Sequence, residues 1–376
     1  MVNNYDIPQR HCPLLFRKIY KKMTDGLSII DPLKDERWDN FVKQHPFGWL
    51  CHLSGWKQVL ESSFKHIKGH YLVLLNGCEI KAALPLFEVR SWLTGNRLVS
   101  IPFATLCDPL ISTTEDMTKL FQGAVNLSKQ LGISSIEIKT LSSYPLIQDN
   151  QLCVSNFFKH HYLVLDGSLD QIKNNFHRTC VRQRIARASN SNMKVKEVDN
   201  EADFHNFYTL YLLTRKRIGL PPQPYIFLKE LWKVFSPQKM ITVLIVEQKD
   251  RPIAGMMLFK FKNRISAEFS VLDETYQHMS PNHLLFWEAI QLAYHEGYKI
   301  FDFGRTSPNN ETLMDFKRRW GTTIVDLPQF YYPKQVCYNK NGQEQSIKHK
   351  LIQTICKNAP QPILNRIGKV LYGHMG

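Results

Sequence analysis

The chain has 376 residues, 43% hydrophobic and 12% aromatic, which is enough apolar material for the cores of two ordinary domains and excludes a disordered or fibrous protein. Its 48 Lys and Arg against 33 Asp and Glu leave a formal net charge of +15, so its natural partners carry negative charge: nucleic acid, an anionic lipid surface or a phosphorylated substrate. Eight scattered cysteines with no Cys-x-x-Cys pair argue against a zinc site or a disulfide framework, and no run approaches the ~18 uncharged apolar residues that a spanning helix needs.

The scattered cysteines make a reducing cytoplasm the simplest setting, and Asp6, Arg10, Arg17 and Lys18 stand where a secretory signal would be apolar, so a chain that is soluble or at most surface-bound is expected. After this basic lead-in, Leu27 to Asp31 predicts a strand, and Trp38, Phe41 and Val42 predict a helix ending near Pro46. A second helix starts at Ser54. Asn76-Gly77 between two apolar runs predicts a tight hairpin, and Leu98 to Phe103 another strand. Residues 115–131 form an amphipathic helix stopped at Gly132, and Ile133 to Lys139 returns as a strand.

Strand Phe157 to Leu165 then leads to Ser168, an N-cap in sequence terms. From Lys173 to Lys196 the chain holds Arg182, Arg184 and Arg187 among other cations and no acid. Such a helix serves either as a guanidinium array for phosphates or as a solvated face. Phe204 to Arg217 and Phe227 to Phe235 predict helices, joined by a proline-rich loop that makes Arg217 and Tyr225 candidates for a pocket wall.

A second hairpin runs from Ile241 to Phe261 across Lys249-Asp250-Arg251-Pro252. Strand Ile265 to Leu272, a helix from Pro281 to Glu296 stopped at Gly297, and strand Lys299 to Phe303 follow. The segment Gly132-Ile133-Ser134-Ser135-Ile136-Glu137-Ile138 matches Gly297-Tyr298-Lys299-Ile300-Phe301-Asp302-Phe303, apolar for apolar and carboxylate for carboxylate. This implies a duplicated unit of helices, hairpin, strand, helix and strand, hence an α/β (α+β) class with mixed sheets flanked by helices.

The chemistry concentrates late in the chain. Phe301-Asp302-Phe303-Gly304-Arg305 is an apolar strand that turns polar at its C-terminal end, where open α/β sheets hold ligands. Phe316-Lys317-Arg318-Arg319-Trp320-Gly321 follows. Lys317 and Arg305 can hold a phosphate or an oxyanion, and Asp302 or Glu268 can accept a proton. The competing reading pairs Asp302 with Arg305 as a tie between strand and loop. Ser280-Pro281-Asn282 predicts a helix start whose amides can bind phosphate, with His283 beside it as either ligand or packing residue. No nucleophile elbow, Walker loop, dinucleotide fingerprint or metal-spaced set is present.

On these residues, with Trp56, Leu84-Pro85-Leu86, Arg97 to Phe103 and the Arg217/Gly219/Pro221 loop, the chain resembles the FemAB-like branch of the GNAT acyltransferase superfamily over residues 27–335. The resemblance implies two tandem GNAT-like domains, 27–166 and 167–335, the second expected to be the active one, between an N-terminal extension (1–26) and a C-terminal tail (336–376). It implies transfer of an acyl or aminoacyl group to an amine or hydroxyl of an envelope glycan or peptidoglycan precursor. The donor would be acyl-CoA or aminoacyl-tRNA, used as co-substrate, with no tightly bound cofactor and no metal. The candidate catalytic residues are Asp302, Lys317 and Glu268, and the candidate substrate-binding residues Arg305, Arg217, Tyr225 and Trp320; the resemblance itself implies that Lys317 contacts donor or acceptor phosphate. Asn282, His283, Arg182, Arg184 and Arg187 would hold donor phosphate.

The chain departs from the GNAT pyrophosphate loop, since Gln277-His278-Met279-Ser280-Pro281-Asn282 lacks its glycines, and it lacks the long arm of tRNA-using members. The tail from Ser346 to Tyr372 interleaves Lys and Arg with Ile and Leu, and either packs on the body or rests on the inner face of a membrane. The competing functional class is a non-catalytic module binding RNA or an anionic lipid surface.

Overall fold

The computed structural model describes residues 21–24, 26–92, 95–336 and 347–374, so most of the expected N-terminal extension and the start of the tail lie outside the described residues. The first half runs β1 (Lys21–Thr24), β2 (Leu27–Ile30), α1 (Arg37–Gln44), α2 (Ser54–Ser63), β3 (Ile67–Asn76), β4 (Glu79–Val89), β5 (Arg97–Val99), α3 (Thr114–Leu131), β6 (Ser135–Lys139) and β7 (Cys153–Val164). The second runs α4 (Leu169–Asn174), α5 (Gln183–Ser189), β8 (Lys194–Glu197), α6 (Glu201–Ile218), α7 (Tyr225–Phe235), β9 (Ile241–Gln248), β10 (Arg251–Phe261), β11 (Arg264–Leu272), α8 (Pro281–His295), β12 (Ile300–Thr306), α9 (Glu311–Arg318) and β13 (Thr323–Tyr332). Two further helices, Ile347–Asn358 and Gln361–Tyr372, close the described chain.

Local signals explain most boundaries. The Thr113 side chain accepts from the Asp116 amide to start α3, and Gly132 ends it in the left-handed conformation at φ 65°. Asn200 and Gly219 do the same for α6. The second hairpin is tighter than the sequence predicts: Lys249 and Asp250 alone turn the chain, both at positive φ, and Arg251 and Pro252 already belong to β10. The basic helix expected after Ser168 is not continuous. It is split into α4, a π turn at Arg178–Arg182, and α5.

The thirteen strands of the described residues form one sheet in the order β1-β2-β3-β4-β5-β6-β13-β7-β12-β11-β10-β9-β8. The mixed sheets of the two halves are therefore joined edge to edge. Four antiparallel pairs in the first half and three in the second lead to one parallel pair each, β5 with β6 and β11 with β12. The joint is an exchange: β7 follows the first half yet pairs with β12, and β13 follows the second yet pairs with β6.

The duplication extends to single residues. Arg97 opens β5 and lies 3.3 Å from Glu137, while Arg264 opens β11 and lies 2.7 Å from Asp302. Glu137 stands opposite Tyr331 on one exchanged strand, and Asp302 opposite Tyr162 on the other. On one sheet face α3 covers the first half, and α8 with α5 covers the second, each over its own core. The remaining core is common to both halves: Trp38, Trp56 and Tyr71 pack with Phe204, Phe227, Phe235 and Phe259. Cys153 is disulfide-bonded, a bond that the scattered spacing did not signal, while Cys51, Cys78, Cys107, Cys180 and Cys356 are free thiols.

Candidate active site

The parallel pair β11–β12 stays in register only from Arg264/Ile300 to Ser266/Asp302. Beyond that point both strands continue but no longer pair, so a gap opens between residues 267–272 and 303–306. Two bulges shape it. Glu268 is the extra residue where β11 slips against β10, and Phe303 is the extra residue where β12 slips against β7. The second bulge puts Asp302 and Arg305 on the same face as His160, which lies opposite Arg305 in register.

Asp302 is fully buried, 3.0 Å from His160 Nε2 and 2.7 Å from Arg264 Nη1, and accepts the Gly304 N–H at 2.6 Å. Burial pushes its carboxyl up, but His160, Arg264 and the Gly304 amide outweigh it and hold the pKa at about 2. The expected Asp302–Arg305 tie is thereby corrected. The partner of Asp302 is Arg264, at the far end of the parallel neighbour, while the exposed Arg305 guanidinium lies 4.6 Å over the Phe158 ring.

Glu268 is half-buried at its bulge and accepts from Ser266 Oγ at 2.7 Å. Burial raises its carboxyl to about 7, helped by the nearby Asp302 charge. Lys317, in the last turn of α9, is buried, and its Nζ donates to the carbonyls of Gly304 and Arg305, each at 3.0 Å. Burial lowers its ammonium to about 7, against the pull of Asp302 and Glu268. The lysine thus fastens the polar end of β12 from beneath. The sheet geometry at this point is set by backbone contacts as much as by side chains.

Several sequence candidates lie elsewhere. Trp320 has no exposed surface and packs against Phe176 with ring centroids 5.1 Å apart, so its expected substrate contact is corrected to a core role. His283 is buried and stacked on Trp320 at 5.9 Å, and burial lowers its pKa to about 4, with Arg184 adding to the shift. A neutral, buried imidazole does not reach a phosphate. Asn282 is half-buried at the start of α8, and its Oδ1 has no partner. Arg182 donates to Asn174 Oδ1 at 3.2 Å, whereas Arg184 and Arg187 are exposed on α5, which packs beside α8. Arg217 lies 4.0 Å from Glu274, and Tyr225 packs on Tyr208 at 4.9 Å; these are their partners rather than the Asp302 group.

The structure adds three residues that the sequence did not single out: His160 and Arg264 beside Asp302, and Lys139 in the first half. Lys139 ends β6 at the position equivalent to Gly304, and its Nζ reaches the carbonyls of Ile101 and Ala104 at 3.4 and 3.3 Å. Burial lowers its ammonium, with the Cys107 thiol and the Glu137 carboxylate acting in the opposite direction and Arg305 reinforcing the fall. The duplicated motif held the signal, one residue past the matched segment. Among the described residues no group of three or more His, Cys, Asp or Glu side chains is placed to hold a metal ion. Two cavities, of about 510 Å³ beside Tyr144 and Phe330 and about 380 Å³ between the last two helices, lie away from the Asp302 group.

The acetyltransferase (GNAT) domain family matches residues 175–318. No curated protein matches the chain in sequence. Among solved structures, FemX is similar at a TM-score of 0.65 and 14% identity, covering 80% of this chain and 96% of its own. L-PGS from Bacillus licheniformis is similar at a TM-score of 0.53 and 12% identity, covering 86% and 96%. A tandem GNAT protein from the clavulanic acid biosynthesis pathway is similar at 0.51 and 9% identity, covering 81% and 97%. The gap between parallel strands and the repeated half-units thus belong to a chain that has the fold of FemX, and the match to the acetyltransferase (GNAT) domain falls on residues 175–318, the part that carries Glu268, Asp302 and Lys317.

Proposed function

We propose that this protein transfers an acyl or aminoacyl group from an activated donor to an amine or hydroxyl of a cell-envelope glycan or peptidoglycan precursor. The observation that carries the reading is Glu268: a carboxylate at a strand bulge, in the gap between β11 and β12, with its pKa raised to about 7. The donor carbonyl lies in that gap, where the unpaired edge of β11 offers backbone N–H groups to the developing oxyanion. The acceptor lone pair attacks the carbonyl carbon, Glu268 takes the proton from the attacking nitrogen or oxygen, and the thiolate or tRNA oxygen departs with the electron pair of the broken bond.

Asp302, held ionised, keeps Arg264 and His160 in place rather than moving a proton. Lys317 positions the end of β12 through the Gly304 and Arg305 carbonyls, and the exposed Arg305 guanidinium at that end steers an anionic substrate. Pro281 removes an amide from the start of α8, and the exposed Arg184 and Arg187 stand beside that helix. This favours a donor held through side-chain cations, which suits a tRNA end, over one held by a glycine-rich amide cradle. Both donors occur in the cytoplasm, where the reaction would take place.

The test is single-turnover transfer from aminoacyl-tRNA and from acyl-CoA, in the presence of envelope precursors, by the wild type and Glu268→Gln. We expect a loss of roughly 10²–10⁴-fold in the variant with whichever donor is used. Full activity of the variant would overturn the assignment of Glu268. Salt-sensitive RNA binding through α5, with no transfer from either donor, would instead favour a binding module.

A further inference from the structure

The two C-terminal helices have two different apolar sides. One packs on the body: Cys356, Ala359 and Leu364 are buried, the Tyr372 ring stands 5.4 Å from Phe103, and its hydroxyl accepts from Arg215 at 3.3 Å. A Cβ placed on Gly219 would meet the Gln353 carbonyl at 2.9 Å, which shows how closely the first of these helices lies on the proline-rich loop. The expectation of a tail packed on the body is therefore met for this side only.

The other side remains in solvent. Leu351 is 59% exposed, Ile355 46%, Ile363 50% and Val370 59%. Ile355 and Val370 line the apolar groove of about 380 Å³ between the helices. Lys350, Lys357, Arg366 and Lys369 are exposed around them, and residues 347–374 contain no Asp or Glu. A solvated helix pair would carry acids among its cations, and a buried one would not leave four large aliphatic side chains in water. At the end of the pair Trp92, 81% exposed on the β4–β5 connection, meets the His374 ring at 5.2 Å. Tryptophan in such a position suits a lipid–water boundary.

We propose that this face docks on an anionic lipid bilayer. The aliphatic side chains enter the headgroup region, the four cations meet lipid phosphates, and Trp92 lies at the interface. A second copy of the chain fits less well, because a self-complementary contact would bring the same uncompensated cations against each other. The proposal is independent of the transfer chemistry, since it reads binding and not turnover.

The test uses the full chain with vesicles of phosphatidylcholine containing phosphatidylglycerol, against phosphatidylcholine alone. Sedimentation with the anionic vesicles only, weakening with salt, is expected. Arg366→Glu with Lys369→Glu should weaken binding at least about tenfold, and Ile363→Glu with Val370→Glu should abolish it. All four sites are exposed, so circular dichroism should show an unchanged fold. Brominated lipid should quench tryptophan emission in the wild type, and this quenching should largely disappear in Trp92→Phe. Equal binding to both vesicle types, or binding unmoved by either pair of substitutions, overturns the proposal. So does a dimer dissociated by Ile363→Glu with Val370→Glu in a chain that binds no vesicles.

Discussion

Two carboxylates on neighbouring strands, Glu268 on β11 and Asp302 on β12, have proton affinities shifted in opposite directions, and the cause is their surroundings. Asp302 has a guanidinium, an imidazole and a backbone N–H around it, so its charge is favoured despite burial. Glu268 is held up chiefly by burial, reinforced by the Asp302 charge, and the single Ser266 hydroxyl that donates to it offsets only part of this, so its proton is held more tightly than usual. Transfer should therefore rise with pH through an apparent pKa near 7 as Glu268 ionises, and Glu268→Gln should flatten that limb; a pH profile of kcat/KM reads both. Asp302 contributes to folding in the other direction. Its folded pKa lies below the unfolded value of 3.8, so the stabilisation is present above pH 4 and is lost as pH falls toward 2, by roughly 2 kcal/mol. Asp302→Asn leaves Arg264 without its buried partner and should cost about 3–5 kcal/mol in urea unfolding at neutral pH. It should also remove the acid-side loss.

At the scale of elements, β12 works because it is irregular. Its bulge turns Asp302 and Arg305 to one face, and Gly304 sits at φ 72°, a conformation that a side chain strains. A Cβ there would meet nothing within 4 Å, so Gly304→Ala isolates backbone strain from packing. We expect a loss of about 1–2 kcal/mol, read as a lower melting temperature, together with reduced transfer because Lys317 bonds to this same carbonyl. Where local chemistry sets an element, the sequence shows it: Gly132 and Gly219 at helix ends, Ser168 as the N-cap of α4 with Gln171 completing the capping box. The split in the basic helix was not legible there, because the π turn at Arg178–Arg182 answers to Val181 and Ile185 packing under α8 rather than to helix propensity.

At the scale of the molecule, the halves are tied twice, by exchanged strands and by a core that draws large aromatic side chains from both. Neither half buries its apolar surface alone. Unfolding should accordingly be a single transition, with calorimetric and van't Hoff enthalpies in agreement; two separated transitions would contradict the shared core. The same linkage explains the location of the candidate site. It lies in the gap between β11 and β12, next to the exchanged strand β7, and from there Arg305 of the second half lowers the proton affinity of Lys139 in the first.

The sequence by itself determined the periodic and punctuated parts of this protein: helices with their caps, two tight hairpins, a repeated unit, and the clustering of Asp302, Arg305 and Lys317 near one strand end. These rest on contacts between residues close in the chain, or on a pattern repeated along it. Only the tertiary structure decided which charges pair. Arg264 is 38 residues from Asp302 and His160 is 142 residues away, and they meet because a parallel strand and an exchanged strand flank β12. Burial is decided the same way: Trp320 and His283 enter the core, while Glu268 reaches the gap, because packing across the whole sheet assigns each side chain its solvent and thereby its charge.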